Sequence, residues 1–123
     1  MKKVLITGAT GFIGRHCLPL LLAKDYEVHA VSSKVPEKDS NDIHWHHINL
    51  LEADSFSDLM SKVKPSHLLH LAWYMLPGDC WNSPENFRWL DASIRMLQLF
   101  AKHGGKRVIV TGTCAEYDWS YGY

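Results

Sequence analysis

Residues 7–14 read TGATGFIG, with glycines at positions 8, 11 and 14. The apolar run Val4-Leu5-Ile6 precedes them, and Ile13, Cys17, Leu20, Leu21 and Lys24 follow at helical spacing. The glycines therefore close a predicted strand and open a predicted helix, the context in which this pattern has meaning. A tight turn, backbone with no side chain in the way, and N–H groups at a helix start together make a seat for a pyrophosphate. The candidate phosphate-binding residues are Gly8, Thr10, Gly11, Phe12, Ile13 and Gly14, with Gly14 also allowing close helix–strand packing. A purely structural strand-to-helix turn with no ligand is the alternative.

A second set of residues bears on which dinucleotide such a turn would hold. In a unit of this kind an acid about twenty residues past the glycines usually binds the ribose 2′-OH. Here the second predicted strand ends in Ser32-Ser33-Lys34, and the acids Glu37 and Asp39 come later. Two hydroxyls and a lysine suit a 2′-phosphate better than an acid would, so the expectation is NADP in preference to NAD. The alternative is that residues 32–34 simply begin a solvated loop.

Other chemistry-bearing residues are weaker candidates. His44 and His46 share one face of a strand and His47 takes the other. No acid or cysteine nearby completes a site, so no metal is expected. The three cysteines (Cys17, Cys80, Cys114) are odd in number and share no CxxC spacing. They fit core thiols in a reducing, cytoplasmic setting better than a disulfide framework or thiolate metal site. Formal net charge is zero, which argues against a nucleic-acid or anionic-membrane partner. No apolar run reaches membrane-spanning length, and the apolar residues after Lys2-Lys3 stop at once in the glycine turn, unlike a signal peptide. The five tryptophans, in a chain of 123 residues, call for a large core, a wide interface or sugar-facing positions.

These candidates need a frame of alternating elements. The pattern predicts a helix over 11–23, weakened at Pro19, which cannot donate to the Arg15 carbonyl. It predicts strands over 27–31, 43–50, 67–72 and 107–110, and a polar loop over 32–42 containing Pro36. A short helix capped by Asp54 or Ser55 should stop at Pro65. Ser83-Pro84-Glu85 is a good helix start, and that helix should run to His103 and end at Gly104-Gly105. It carries two apolar stripes, one of Phe87, Leu90, Ile94, Leu97 and Ala101, the other of Trp89, Met96 and Phe100; one faces the sheet and the other needs a partner. Buried strands alternating with helices argue an α/β fold, a Rossmann-type doubly wound parallel sheet of five strands in order 3-2-1-4-5. Residues 1–123 would form one partial dinucleotide-binding domain.

With TGATGFIG in place, two further segments carry a resemblance that covers the whole chain. HLAW at residues 70–73 is similar to the HLAA segment, and TGTCAEY at residues 111–117 to the SSSxxxY segment, of the extended short-chain dehydrogenase/reductases. That branch includes the NAD(P)-dependent epimerases and dehydratases acting on nucleotide sugars. The GxxGxxG spacing also matches this branch rather than the GxGxxG of other dehydrogenases. The resemblance implies that Asn49 bonds the adenine amino group, with Leu50 beside it. It implies that Leu71, Ala72, Trp73 and Thr111 line the ribose and nicotinamide side, where Trp73 replaces a small residue. It places Thr113 at the catalytic Ser/Thr position that anchors a substrate hydroxyl.

The family's YxxxK pair, whose Tyr is the acid/base and whose Lys lowers its pKa, does not occur in these residues. The resemblance implies that the pair and the substrate domain lie beyond Tyr123, so the chain is expected to be a truncated piece unable to turn over substrate. The fifth strand would then be an edge, and the Trp89 stripe would lose its cover. The resemblance further implies a homodimer through the 84–103 helix. Three functions follow as candidates: the NAD(P)-binding portion of a nucleotide-sugar epimerase, dehydratase or reductase; a non-catalytic NADP-binding sensor or scaffold; or an assembly domain with no ligand.

Overall fold

The computed structural model describes residues 1–34 and 40–121. Pro36, Glu37 and Asp39 lie outside the described residues. Five strands, β1 (Lys2–Thr7), β2 (Tyr26–Ser32), β3 (Ile43–His47), β4 (His67–His70) and β5 (Arg107–Val110), form one sheet in the order β3-β2-β1-β4-β5. Every neighbouring pair is parallel. Three helices connect them: α1 (Phe12–Leu22), α2 (Ala53–Val63) and α3 (Glu85–Lys102).

Strands β1 and β2 sit at the centre because their residues suit burial on both faces. Val4, Leu5, Ile6 and Thr7 are all buried, as are Val28 through Ser32. Alternation along the strands divides them between two cores. On one side Val4, Ile6, Val28 and Ala30 meet Cys17, Leu18, Leu21 and Leu22 of α1. On the other, Leu5, Val31 and Leu68 meet Phe56, Leu59, Met60 and Val63 of α2 and Met96 and Phe100 of α3. The chain thus puts α1 on one face and the next two helices on the other. The reversal falls between β1 and β4, where a doubly wound sheet opens a crevice at the carboxyl ends of its strands.

The helices depart from the sequence reading in detail. Helix α1 turns Gly14 and Leu18 into the core, while Ile13 and Leu20 of the expected stripe point outward. Pro19 sits inside it, yet its own carbonyl still accepts the Ala23 N–H at 3.0 Å. Helix α2 begins one residue before Asp54, with Glu52 at the N-cap and no side-chain cap. It stops because Lys64 turns left-handed (φ 48°) ahead of Pro65. Strands β3 and β4 end at His47 and His70, earlier than the expected 50 and 72, since residues beyond them leave the ladder for the crevice.

Ser83 does support the start of α3, accepting the Glu85 N–H on Oγ at 3.3 Å. The stripe that packs on the sheet side is Ala92, Met96 and Phe100, with Trp89 partly buried against it. This corrects the expectation that the Trp89 stripe would lose its cover. The uncovered stripe is the other one: Phe87 is 76% exposed, Leu90 50% and Ile94 48%. Strand β5 forms one edge of the sheet, and its apolar residues Val108, Ile109 and Val110 are exposed.

Candidate functional site

The glycine turn adopts its bend because only glycine fits two of its positions. Gly8 has φ +67°, and a Cβ there would stand 2.9 Å from the Ala72 nitrogen and 3.0 Å from the Leu71 carbonyl carbon. At Gly14 a Cβ would lie 2.8 Å from the Ala9 Cα and closer still to the Gly8 carbonyl oxygen. Gly8 lets the turn lie against the end of β4, and Gly14 lets α1 press onto the turn itself. At Gly11 the neighbourhood is different: a Cβ would meet only the Gly8 oxygen, at 3.2 Å.

Gly11 is also the N-cap of α1, with extended backbone, no side-chain cap and no acid in the first turn. The N–H groups of the first helical turn lack intrahelical acceptors by geometry. The Gly11 N–H itself donates to the Gly8 carbonyl at 3.0 Å, while those of residues 12–14 stand at the positive end of the helix dipole with nothing on the helix to neutralise them. Arg15 adds a formal positive charge nearby, its guanidinium carbon 5.2 Å from the Phe12 ring centroid. Phe12 and Ile13 are both exposed at this turn. An anion of pyrophosphate size meets donors and positive potential here and no blocking side chain, so the residues present fit a dinucleotide's diphosphate.

The carboxyl ends of the strands gather the other candidates along the same rim. Ser32 ends β2 and is buried; its Oγ lies 3.1 Å from Thr10 Oγ1 and accepts the Lys34 N–H at 3.0 Å. Its hydroxyl therefore ties the loop to the glycine turn, and Ser33 and Lys34 are the exposed members of the set. The Ser33 carbonyl is 2.8 Å from His47 Nε2. Asn49 is exposed, with its Oδ1 already accepting the Leu51 N–H at 3.1 Å. Leu50 is only 8% exposed and belongs to the core under α2 and α3, so little of its surface is offered to a ligand.

Leu71, Ala72 and Trp73 follow β4, and their placement depends on a buried network that the sequence reading missed. Thr7 Oγ1 accepts the N–H groups of Leu71 (3.1 Å) and Ala72 (3.3 Å) and lies 2.7 Å from His70 Nδ1. With both acceptor positions used, the Thr7 hydroxyl gives its proton to Nδ1. His70 then carries its own proton on Nε2, which is 2.9 Å from Ser93 Oγ on α3. Burial holds the His70 imidazole below its usual pKa, in keeping with a neutral ring. The network fastens the end of β4 to β1 and α3, leaving Leu71 and Ala72 beside Gly8. Trp73 donates its Nε1–H to Asn86 Oδ1 at 2.8 Å and leans on Trp89, their centroids 6.3 Å apart.

Strand β5 delivers the last candidates. The Thr111 N–H donates to the His70 carbonyl at 3.2 Å. Thr113 caps the 3-10 turn Cys114–Glu116: its Oγ1 accepts the Ala115 N–H at 3.2 Å while Glu116 Oε1 accepts the Thr113 N–H at 3.0 Å. Thr113 and Tyr117 are both exposed.

The histidines of β3 correct one sequence argument. His44 and His46 do share a face, but an acid does stand near them: strand pairing sets His44 beside His29, two residues from Glu27 on the same face. The ligand-type atoms of Glu27, His29 and His44 all lie within 4.8 Å of one another.

A doubly wound parallel sheet with an uncapped glycine turn on its carboxyl rim defines a nucleotide-binding class of protein. Within it, the chain belongs to the NAD dependent epimerase/dehydratase family, whose model matches residues 4–122. It is 27% identical over 132 residues to a UDP-glucose 4-epimerase of Cyamopsis tetragonoloba, a match covering 94% of this chain and 37% of that protein. To the GDP-mannose 4,6-dehydratase of Vibrio cholerae it is 28% identical over 113 residues, covering 79% of this chain and 30% of the relative. The UDP-Glc/GlcNAc 4-epimerase of Campylobacter jejuni superposes with a TM-score of 0.83 at 19% identity, over 96% of this chain and 39% of that one. The Bordetella bronchiseptica enzyme WbmH in complex with NAD+ does so with a TM-score of 0.74 at 23% identity, over 88% and 38%. These structures share the fold, and the chain spans under two-fifths of their length. Among the described residues no helix is long and apolar enough to cross a membrane.

Proposed function

We propose that residues 1–123 are one dinucleotide-holding unit, the NAD(P)-binding portion of a cytoplasmic enzyme that epimerises, dehydrates or reduces a nucleotide sugar. The observation that carries this reading is the uncapped start of α1 above a turn that glycine alone can form. The names of the relatives, UDP-glucose 4-epimerases and a GDP-mannose dehydratase, support the substrate class.

In this reading the N–H groups of residues 12–14 hold the diphosphate, the Gly11 N–H being engaged by the Gly8 carbonyl, with Gly8, Thr10, Gly11 and Ile13 shaping the seat and Phe12 flanking it. Asn49 Oδ1 accepts the Leu51 N–H with one lone pair and keeps the second for the adenine amino group. Leu50 supports Asn49 from the core. Leu71, Ala72, Trp73 and Thr111 bound the ribose and nicotinamide side. A bound nicotinamide would accept a hydride from the sugar and return it. Thr113 uses an acceptor position on Ala115, which leaves its hydroxyl proton to donate to a substrate oxygen. With no YxxxK in the sequence, these residues by themselves hold cofactor without turning over substrate.

The finer cofactor preference is for NADP over NAD. No acid follows β2 directly, and Ser33 and Lys34 are exposed where a 2′-phosphate would lie. A charged hydrogen bond of about 1.5–3 kcal/mol makes NADPH the tighter ligand by about tenfold or more. Titration with each nucleotide, followed by tryptophan fluorescence, tests this. Lys34→Ala should bring the two affinities together; tighter NADH binding by the unaltered chain would reverse the preference. The exposed stripe Phe87, Leu90, Ile94 and Leu97 of α3 is proposed as a homodimer surface.

A further inference from the structure

The β2–β3 end of the sheet carries a cluster that the dinucleotide reading does not use. Glu27 and His29 alternate along β2 and face the same way, and His44 and His46 do so on β3. The register sets His29 opposite His44 and Val31 opposite His46, so four polar residues converge on one face at the open edge of the sheet. His29 is buried, Glu27 half-buried and His44 exposed. Such an arrangement is not needed to fill a core, and it lies apart from the glycine turn. His29 is three residues upstream of Ser32, about 10 Å along the strand.

We propose that Glu27, His29 and His44 form a binding site for a divalent transition-metal ion of the zinc type, with His46 positioning His29 from behind. The three ligand atoms already lie within 4.8 Å of one another. Tetrahedral bonds of about 2.0–2.1 Å require ligand atoms about 3.3 Å apart, so no pair need close by more than about 1.5 Å. Two imidazoles with one carboxylate suit a borderline metal such as zinc, with water completing the shell.

The hydrogen bonds show how the site is organised. His29 Nε2 is 2.9 Å from Glu27 Oε1, and His29 Nδ1 is 2.9 Å from His46 Nε2. Without metal, the Nε2–H of His29 donates to the carboxylate and the Nε2–H of His46 donates to His29. When Nε2 of His29 turns its lone pair to a metal, its proton resides on Nδ1 and donates to His46 Nε2. The His46 proton then resides on Nδ1, and no net proton is gained or lost by the two rings. A hydrogen bond to the second nitrogen of a ligand histidine fixes its tautomer and ring orientation for the metal, and His46 supplies that bond here.

Two groups must move. The His44 ring stacks on His29 with centroids 4.7 Å apart and planes 21° apart, and it must turn so that its lone pair meets the ion. Its exposure allows that rotation. Lys3 Nζ lies 3.3 Å from Glu27 Oε1 and gives up that contact to solvent as the ion arrives.

The test is titration of the EDTA-stripped chain, kept in a phosphine reductant, with Zn2+ by calorimetry and with Co2+ by visible absorption. One ion per chain is expected, with a Co2+ spectrum of nitrogen and oxygen ligation. His44→Ala, at an exposed position, should weaken Zn2+ binding at least about tenfold, and His46→Ala by about tenfold through loss of support. His47→Ala, on the opposite face, should leave it unchanged. Circular dichroism establishes that each variant is folded. Absence of saturable uptake, equal affinity in His44→Ala, or a sulfur-to-cobalt charge-transfer band placing the ion on a cysteine would each overturn the site.

Discussion

A carboxylate at position 11 separates the two tasks of the glycine turn. Gly8 and Gly14 are demanded by the fold, since a side chain at either would run into backbone. Gly11 has an ordinary extended conformation and meets just one close atom. Aspartate is a better N-cap than glycine by a few tenths of a kcal/mol, which offsets the 3.2 Å approach of its Cβ to the Gly8 oxygen, so Gly11→Asp should melt close to the temperature of the unaltered chain. Its carboxylate would nevertheless occupy the N–H groups and repel a diphosphate. Dinucleotide affinity should fall at least about tenfold, roughly 1.4 kcal/mol, in the same preparation. Calorimetric melting and ligand titration, run together, check both halves. The TGATGFIG run showed where to look, because strand, turn and helix were each visible around it. Thr7 and His70 were in view as well, but nothing in the sequence brings residues 63 apart to 2.7 Å. Leu50 is a related case: the resemblance sets it beside the adenine, and packing under α2 and α3, which the sequence does not show, holds most of its side chain in the core.

The elements explain which parts of the sequence reading held. Strand order, parallel pairing and helix sequence agree with it because a run such as VLIT has few other places to go in an α/β chain. Rotational phase was harder. On α3 both stripes were recognised, and which one met the sheet depended on the packing of Met96 and Phe100 with Leu5, Val31 and Leu68 on strands far away in sequence. The cap of α2 was misplaced because Asp54 and Ser55 resemble capping residues, yet the helix already includes them. The metal-type cluster was invisible for a related reason: Glu27 and His44 are brought together by register, which a single strand does not reveal. The dimer proposed for α3 has its own prediction. Leu90→Glu, on the outward stripe, should leave secondary structure intact and convert a concentration-dependent dimer to monomer in sedimentation velocity. An unaltered chain that stays monomeric at every concentration would remove that role.

At the scale of the whole molecule, burial of imidazoles ties stability to pH. Desolvation is the main cause that lowers the pKa of His29, His46 and His70, that of His46 to about 4. Unfolded histidines protonate near pH 6.5. As pH falls below that value the unfolded chain takes up protons that the folded chain refuses, so stability declines until the folded pKa is reached. Glu27, held below the usual carboxylate pKa chiefly by its hydrogen bond with His29, adds a loss of the same sign at lower pH. In EDTA-containing buffer the melting temperature should be flat above about pH 7 and should fall from about pH 6.5 toward pH 4. A melting temperature that held steady or rose over that range would show the buried rings to be protonated.

All five strands point their carboxyl ends toward one rim, and the family membership, the glycine turn and the unengaged start of α1 meet there. The most direct test is the amide spectrum of 15N-labelled chain during titration with NADP+. Hydrogen bonding to a diphosphate should shift the N–H signals of residues 12–14 downfield, saturably and more than those elsewhere. Shifts confined to other parts of the sheet, or none at concentrations where the nucleotide binds, would contradict the account.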